Sequence, residues 1–341
     1  MQNVMNTPPQ GAANELLARE AETSQTNFRD YLVDLTQEVV RPEYLLEIDG
    51  VGLMPRGGIT VVAGEAKQGK TQFLAAMVAT LIGGKPFGTM KRRAQSVGKI
   101  VWCDTEQATF NIHATINRVY RQAGLPQHSQ GDKYGLHVLK LRPLDPQGRL
   151  LVIKQAIEAI NPDVLVIDGI RDLLNDFNNI EESNANVGWL LGMLDTRPNM
   201  NIICVLHTNT GTEKLRGHLG TELMNKCQDR FTCVKETGIF KVSHNTRDRE
   251  VLLPFVFCIG AEGALMPSTI EQAEGVMDAD AALLAAVPVE GDAWNNIVTA
   301  YMKATGIKNQ QKARNALKKR VEEGELYQVA RGLWKLKNRP Q

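Results

Sequence analysis

Residues 58–82 read GITVVAGEAKQGKTQFLAAMVATLI, and the fold turns on how this stretch is read. Ile59, Val61 and Val62 form a short apolar run without charge, as a buried parallel strand requires. The next eight residues, Gly64, Glu65, Ala66, Lys67, Gln68, Gly69, Lys70 and Thr71, fit the G-x-x-x-x-G-K-[ST] phosphate loop. From Thr71 to Ile82 the residues are mostly good helix formers with almost no charge, so the pattern predicts a buried helix. The spacing has a chemical reason. Consecutive backbone N–H groups must wrap a β-phosphate, and glycines at both ends permit the turn. The following helix aims its positive end at the anion. Lys70 is expected to reach the β- and γ-phosphates and the Thr71 hydroxyl to reach Mg²⁺. Residues 64–71, with Gln72 just beyond, are therefore the candidate nucleotide-binding set.

Composition bounds the rest. A chain of 341 residues can hold one large domain and a small one, and 43% hydrophobic with 23% charged residues is globular. No uninterrupted apolar run reaches the ~18 residues of a membrane span. The N-terminus has neither the basic start nor the apolar core of a signal peptide. The five cysteines are scattered without a C-x-x-C pair, so a reduced, cytoplasmic location without membrane contact is expected. Net charge is +1, yet eleven Lys or Arg against four Asp or Glu fall between Gly291 and Gln341. A basic tail on a mildly acidic body predicts a polyanionic partner.

In chain order, residues 1–25 are polar and are expected to be disordered. Phe28, Tyr31, Leu32, Leu35, Val39 and Val40 recur at helical spacing, and Tyr44–Ile48 reads as a strand leading into the phosphate loop. Residues 85–99, with Lys91, Arg92 and Arg93, read as a solvated basic loop. Strands and helices then alternate to residue 206, which implies a mostly parallel sheet covered on both faces. Three strand-like runs between Arg230 and Ile259 suggest antiparallel strands added to one edge. The expected organisation is an α/β P-loop domain over 26–260, a linker over 261–289 and a small domain over 290–341.

Three further segments carry candidate chemistry. Val164–Asp168 is an apolar run followed by an acid at a strand's C-terminal end, where Asp168 could hold Mg²⁺. In VWCDTEQ, Glu106 lies just past another strand, where a carboxylate can take a proton from attacking water. The competing reading is a helix N-terminus capped by Asp104 or Thr105, with Glu106 favouring the dipole. His207 ends a third strand. After the strand near Phe240–Ser243, Arg247 and Arg249 sit in a turn, either as a charged hairpin or as an arginine reaching a neighbour's γ-phosphate, with Arg247 the first choice.

In the tail, Trp294, Ile297, Val298 and Tyr301 share a helical face. Gln310–Glu322 reads as a second helix with Ala313, Leu317 and Val321 inward, and two short strands pair around Ala330-Arg331-Gly332. Helix, helix and hairpin is a winged-helix pattern. Lys308, Lys312, Arg314, Lys318, Lys319, Arg320 and Arg331 would then face duplex DNA. A protein-docking module with solvated charges is the alternative.

With RGGITVVAGEAKQGKT, VWCDTEQ, VLVIDGI, VLHTNTG and RGHLGTELMNK in view, the chain resembles the RepA-type branch of RecA-like ATPases carried on bacterial plasmids and other mobile elements. The resemblance covers about Pro42–Ile259. It implies a hexameric ring that binds ATP and Mg²⁺ and often drives DNA unwinding. Glu106 would be the base and His207 the γ-phosphate sensor, and Lys214 and Arg216 would lie on a loop contacting single-stranded DNA. The tail departs from the minimal helicase of that family. A RecA-like recombinase forming filaments and an ATP-gated DNA-binding regulator remain alternative readings.

Overall fold

The strands at the middle of the central sheet alternate their side chains between two hydrophobic clusters, and that alternation builds the domain. The computed structural model describes residues 27–127, 131–212, 214–236, 239–246, 249–250, 252–260, 263–268, 279–305, 307 and 309–337. The expected disorder of 1–25, the candidate finger Arg247 and the candidate DNA contact Lys308 lie outside the described residues.

The chain divides into two compact units, Met1–Arg41 and Pro42–Gln341. In the first, the expected helix over Phe28–Val40 is replaced by a single 3-10 turn at Phe28–Tyr31, with Asn27 accepting from the Arg29 N–H. Phe28, Tyr31, Leu32, Leu35, Val39 and Val40 are between 66% and 90% exposed. Helical spacing without buried area does not sustain so short a helix, and the Asp34 carboxylate takes the Thr36 N–H in a local turn instead.

The second unit begins with a hairpin, β1 (Tyr44–Ile48) and β2 (Val51–Pro55), turned through Asp49 and Gly50 at positive φ. Then come β3 (Ile59–Gly64), helix α1 (Lys70–Gly83), β4 (Met90–Arg92), β5 (Ile100–Asp104), α2 (Thr109–Ala123), β6 (Leu136–Lys140), α3 (Pro146–Ile160) and β7 (Val164–Asp168). After these follow α4 (Ile180–Thr196), β8 (Asn201–His207), α5 (Gly217–Lys226), β9 (Asp229–Glu236), β10 (Ile239–Thr246), β11 (Phe255–Ile259) and β12 (Leu265–Ser268).

Nine strands form the main sheet in the order β12-β11-β10-β9-β3-β8-β7-β5-β6. The six from β9 to β6 are parallel, and β10, β11 and β12 extend one edge antiparallel. Two expectations shift here. The FTCV run belongs to β9 and pairs parallel to β3, and the expected linker contributes the edge strand β12. On one face Val62, Trp102, Val166 and Val205 join α1, α2 and the small β2-β1-β4 sheet. On the other, Val61, Val101, Leu165 and Cys204 join α3, α4 and α5. Helix α1 is apolar all round because it is covered all round, and Phe73 through Leu81 are buried.

The basic segment 91–93 is not a solvated loop. Lys91 and Arg92 pair with β1, Arg92 Nη1 donates to Leu81 O at the end of α1 (3.0 Å), and the Arg93 guanidinium lies over Tyr44 (5.6 Å).

The tail holds α6 (Ala279–Ala286), α7 (Trp294–Thr305), α8 (Gln310–Glu322) and a hairpin of β13 (Leu326–Ala330) and β14 (Leu333–Leu336). Ile297, Val298, Tyr301, Ala313, Leu317 and Leu326 share one hydrophobic cluster with Leu283, Ala286 and Val287. The stretch read as linker therefore supplies a third helix to the tail's core.

One buried ionic cluster ties the small sheet to the large one. Asp229 is fully buried and accepts from Met54 N (2.8 Å), His244 Nε2 (2.9 Å) and Arg249 Nη2 (2.7 Å). Met54 sits at φ 55°, a conformation this bond helps to hold. Asp229→Ala removes the carboxylate shared by His244, Arg249 and the Met54 N–H, and should cost about 3–5 kcal/mol. Urea unfolding measures this as a lowered midpoint at unchanged slope, and a loss under about 1 kcal/mol would show the cluster to be dispensable.

Candidate active site

Parallel strands place their C-terminal ends at one sheet edge, and four of those ends build the site. Gly64 pairs with His207 across β3 and β8, and Asp168 pairs with Asp104 across β7 and β5. Between them lies a cleft of ≈ 360 Å³ lined by residues 66–72 and by Glu106, Asp168, Gly169 and His207.

The phosphate loop is fixed from both sides. Gly69 has φ 92°, and a Cβ there would meet the Phe240 ring at 2.2 Å, so only glycine fits under the β9–β10 hairpin. Gln68 Oε1 accepts from the Lys235 N–H of that hairpin. On the opposite side Glu65 Oε1 accepts from Gly211 N (2.7 Å). Lys70 Nζ donates to Gly64 O (2.9 Å) and Glu65 O (2.8 Å) and lies 3.1 Å from His207 Nδ1. Burial lowers the Lys70 pKa, with nearby carboxylates opposing. The ammonium is thus held at the loop by carbonyls, poised to exchange them for phosphate oxygens.

His207 is half-buried, and desolvation followed by the Lys70 charge lowers its pKa. Neutral, with Nδ1 accepting from Lys70, it carries its proton on Nε2, which is 4.0 Å from Glu106 Oε1. Glu106 has its pKa raised, first by burial and then by the Asp172 charge. A carboxylate so placed is a stronger base than a free one.

The competing reading, a helix N-terminus capped by Asp104 or Thr105 with Glu106 favouring the dipole, does not describe the geometry. Helix α2 starts at Thr109, its N-cap is Ala108, and no side chain caps it. Asp104 instead closes a turn before the helix, accepting from Glu106 N (3.1 Å), Gln107 N (2.7 Å) and Gln107 Nε2 (2.6 Å). That turn carries Glu106 into the cleft.

Asp168 is half-buried at the end of β7, and its pKa is raised to about 7, mainly by desolvation and then by Asp104 and Glu106. Its Oδ2 is buried without a hydrogen-bond partner among the described residues. An orphaned carboxylate oxygen beside the Thr71 position suits a divalent cation. No group of three His, Cys, Asp or Glu among the described residues could hold a metal alone. This donor set fits Mg²⁺, which takes its other ligands from phosphates and water. Thr71 and Asp168 would hold it, and when bound it would neutralise charge on the β- and γ-phosphate oxygens.

The loop after β8 is closed by Asn209 N donating to Lys214 O (2.8 Å) and Arg216 N donating to His207 O (3.0 Å). Lys214 and Arg216 are exposed. The Arg216 guanidinium lies 5.3 Å from the Phe177 ring, and Arg171 lies 4.4 Å from the same ring. The segment after Asp168, rich in acids by sequence, thus brings a cation beside Arg216. Sequence reading missed Arg171 and Asp172, and it offered Thr105 only as a helix cap, whereas its hydroxyl is bonded across to Asp168 O, Gly169 O and Asp172 Oδ2. An acid two residues before Glu106, able to close a local turn, was the available signal for Asp104. Arg249, the second choice for a finger, is taken up by Asp229, Gly52 O and the Tyr44 ring.

A phosphate loop after β3, an acid ending β7 on the second strand over and a carboxylate just past β5 beyond it define a P-loop ATPase. The chain matches the family described as an AAA domain over residues 21–213, more than half its length, and it belongs to that family. Among solved structures it is similar to a KaiC-like protein from the hyperthermophilic archaeon Pyrococcus horikoshii OT3, at 18% identity, covering 68% of this chain and 100% of that one with a TM-score of 0.44. No curated protein matches it.

Two substitutions separate binding from chemistry. Lys70→Ala should abolish nucleotide binding, because it removes the buried ammonium of the loop; titration with a fluorescent ATP analogue checks it, and near-native affinity would refute the assignment. Glu106→Gln should keep nucleotide affinity and reduce turnover by about 10²-fold or more, since an amide cannot accept the proton. Steady-state phosphate release measures the second, and unchanged turnover would remove Glu106 from the reaction.

Proposed function

We propose that this ATPase acts on DNA as a homo-oligomer, a hexameric ring working as a replicative helicase or remodelling motor of a plasmid or other mobile element. Single strands would be contacted through Lys214 and Arg216, and duplex through the tail as a winged helix. The ring reading draws on the family resemblance and on the cleft itself: among the described residues no arginine lines it. Arg247 from a neighbour is the proposed finger.

The observation that carries a DNA role is the division of labour on α8. Ala313 and Leu317 face the tail's core, while Lys312, Lys318 and Lys319 stand exposed on the other side. Arg331 is exposed at the hairpin turn. Cations on an exposed helix face next to a hairpin suit phosphates flanking a groove. Two of the expected contacts drop out. Arg314 Nη2 is bonded to Asn295 Oδ1 (3.1 Å), and Arg320 pairs with Glu325 (2.8 Å). Of the contacts named from sequence, Lys312, Lys318, Lys319 and Arg331 remain.

Because α6 packs into the tail, a clean truncation removes residues 269–341 and keeps the edge strand β12. This variant should retain ATP hydrolysis and lose most duplex affinity. For the intact chain, four phosphate contacts give a slope of log K against log salt of roughly −3 to −4. The truncated chain should show a much shallower slope, read by fluorescence anisotropy across salt concentrations. Unchanged duplex affinity and slope would make the tail a protein-docking module. Turnover measured with and without single-stranded DNA tests the motor, and turnover indifferent to DNA would favour the regulator.

A further inference from the structure

We propose that Asp172 is a positioning residue for hydrolysis, and that it acts through the Thr105 hydroxyl to fix the turn that aims Glu106 into the nucleotide cleft. The proposal rests on Glu106 being the base that activates water. The Glu106 carboxylate has no hydrogen bond of its own among the described residues, and His207 Nε2 lies 4.0 Å from its Oε1. Its direction is therefore set by the backbone of residues 104–107.

That backbone is fastened at two points. Asp104 gathers the N–H groups of Glu106 and Gln107 from within the turn. Thr105 fastens the turn to the neighbouring strand end. Its N–H donates to Asp168 O (3.2 Å), and its hydroxyl lies 3.0 Å from Asp168 O, 3.2 Å from Gly169 O and 2.8 Å from Asp172 Oδ2. A hydroxyl has one proton to give, and the carboxylate is the nearest and the strongest of the three acceptors.

Asp172 is itself anchored. Its N–H donates to Gly169 O (2.9 Å), and its carbonyl accepts from Arg149 Nη1 (2.6 Å). Gly169 makes room for the contact, since a Cβ there would stand 2.1 Å from Thr105 Oγ1. Thr105 is only 1% exposed, so the hydroxyl has no solvent to turn to if the carboxylate is removed. The segment that follows the metal-site acid thus reaches back and sets the position of the base on the adjacent strand.

The test is a double-substitution cycle on the full chain, read as ATPase kcat, KM and nucleotide affinity. Asp172→Ala should lower kcat about tenfold to a hundredfold, the scale of a misplacement near 1 Å, and leave KM and affinity unchanged. Thr105→Val should do the same, and Thr105→Ser, which keeps the hydroxyl, should recover most of the loss. In a Glu106→Gln background, with residual turnover measured at high enzyme concentration, Asp172→Ala should cause no further loss. An equal fold loss in that background, a matching loss of nucleotide affinity, or Thr105→Ser as slow as Thr105→Val would each overturn the proposal. If Asp172→Ala does not fold, the near-isosteric Val and Ser variants at 105 decide. A slow Glu106→Gln with a normal Asp172→Ala defeats the positioning alone, whereas a normal Glu106→Gln defeats the base and the proposal together.

Discussion

Everything in the site depends on adjacent parallel strands ending together. A ladder in which Gly64 stands beside His207, and Asp104 beside Asp168, brings residues far apart in the chain to one edge. No side chain has to travel far to meet the others. The cost is electrostatic, because two acids at neighbouring strand ends, with a third just beyond, repel one another in a desolvated place. Burial first, and then that repulsion, raise the carboxyl pKa values of Glu106 and Asp168, and a phosphate-bound cation would offset both. The site is thus arranged for its ligand, in that its worst local energies are those that Mg²⁺ and a triphosphate would remove.

The loop around Lys70 is built as a clamp. It is bonded to the β9–β10 hairpin through Gln68 and to the loop after β8 through Glu65. Lys70 and His207 join the phosphate loop to the end of β8 from inside the cleft. A ligand that draws Lys70 away from Gly64 O and Glu65 O changes the surroundings of His207, whose carbonyl anchors Arg216. The phosphate loop and the exposed loop carrying Lys214 are thus linked through one residue, His207.

The core of the fold was legible because its signals are local. A phosphate loop between an apolar strand and an apolar helix leaves few alternatives, and Ile59 through Ile82 fold as read. The unbroken apolar runs of β5, β7 and β8 likewise state that both faces are covered. Where the reading failed, pattern was present without its usual consequence. Phe28–Val40 has helical spacing and no buried surface. Lys91–Arg93 has the composition of a loop yet completes a strand pair with β1. Ala-rich residues before the tail resemble a linker, but Leu283 and Val287 are part of its core.

By itself the sequence determined which chemical groups are present and which backbone each sits on: the phosphate loop, the acid closing a strand at Asp168 and the carboxylate at Glu106. Those follow from short-range rules of spacing, turn and propensity. Tertiary structure alone decided which groups touch. It withdrew Arg249, Arg314 and Arg320 into internal bonds, brought Arg171 to Phe177 beside Arg216, and placed Asp172 against Thr105. The reason is that a charge or hydroxyl within bonding range satisfies its demand with whatever neighbour the packing supplies. That neighbour comes from a different strand or helix, which no local pattern along the chain can specify.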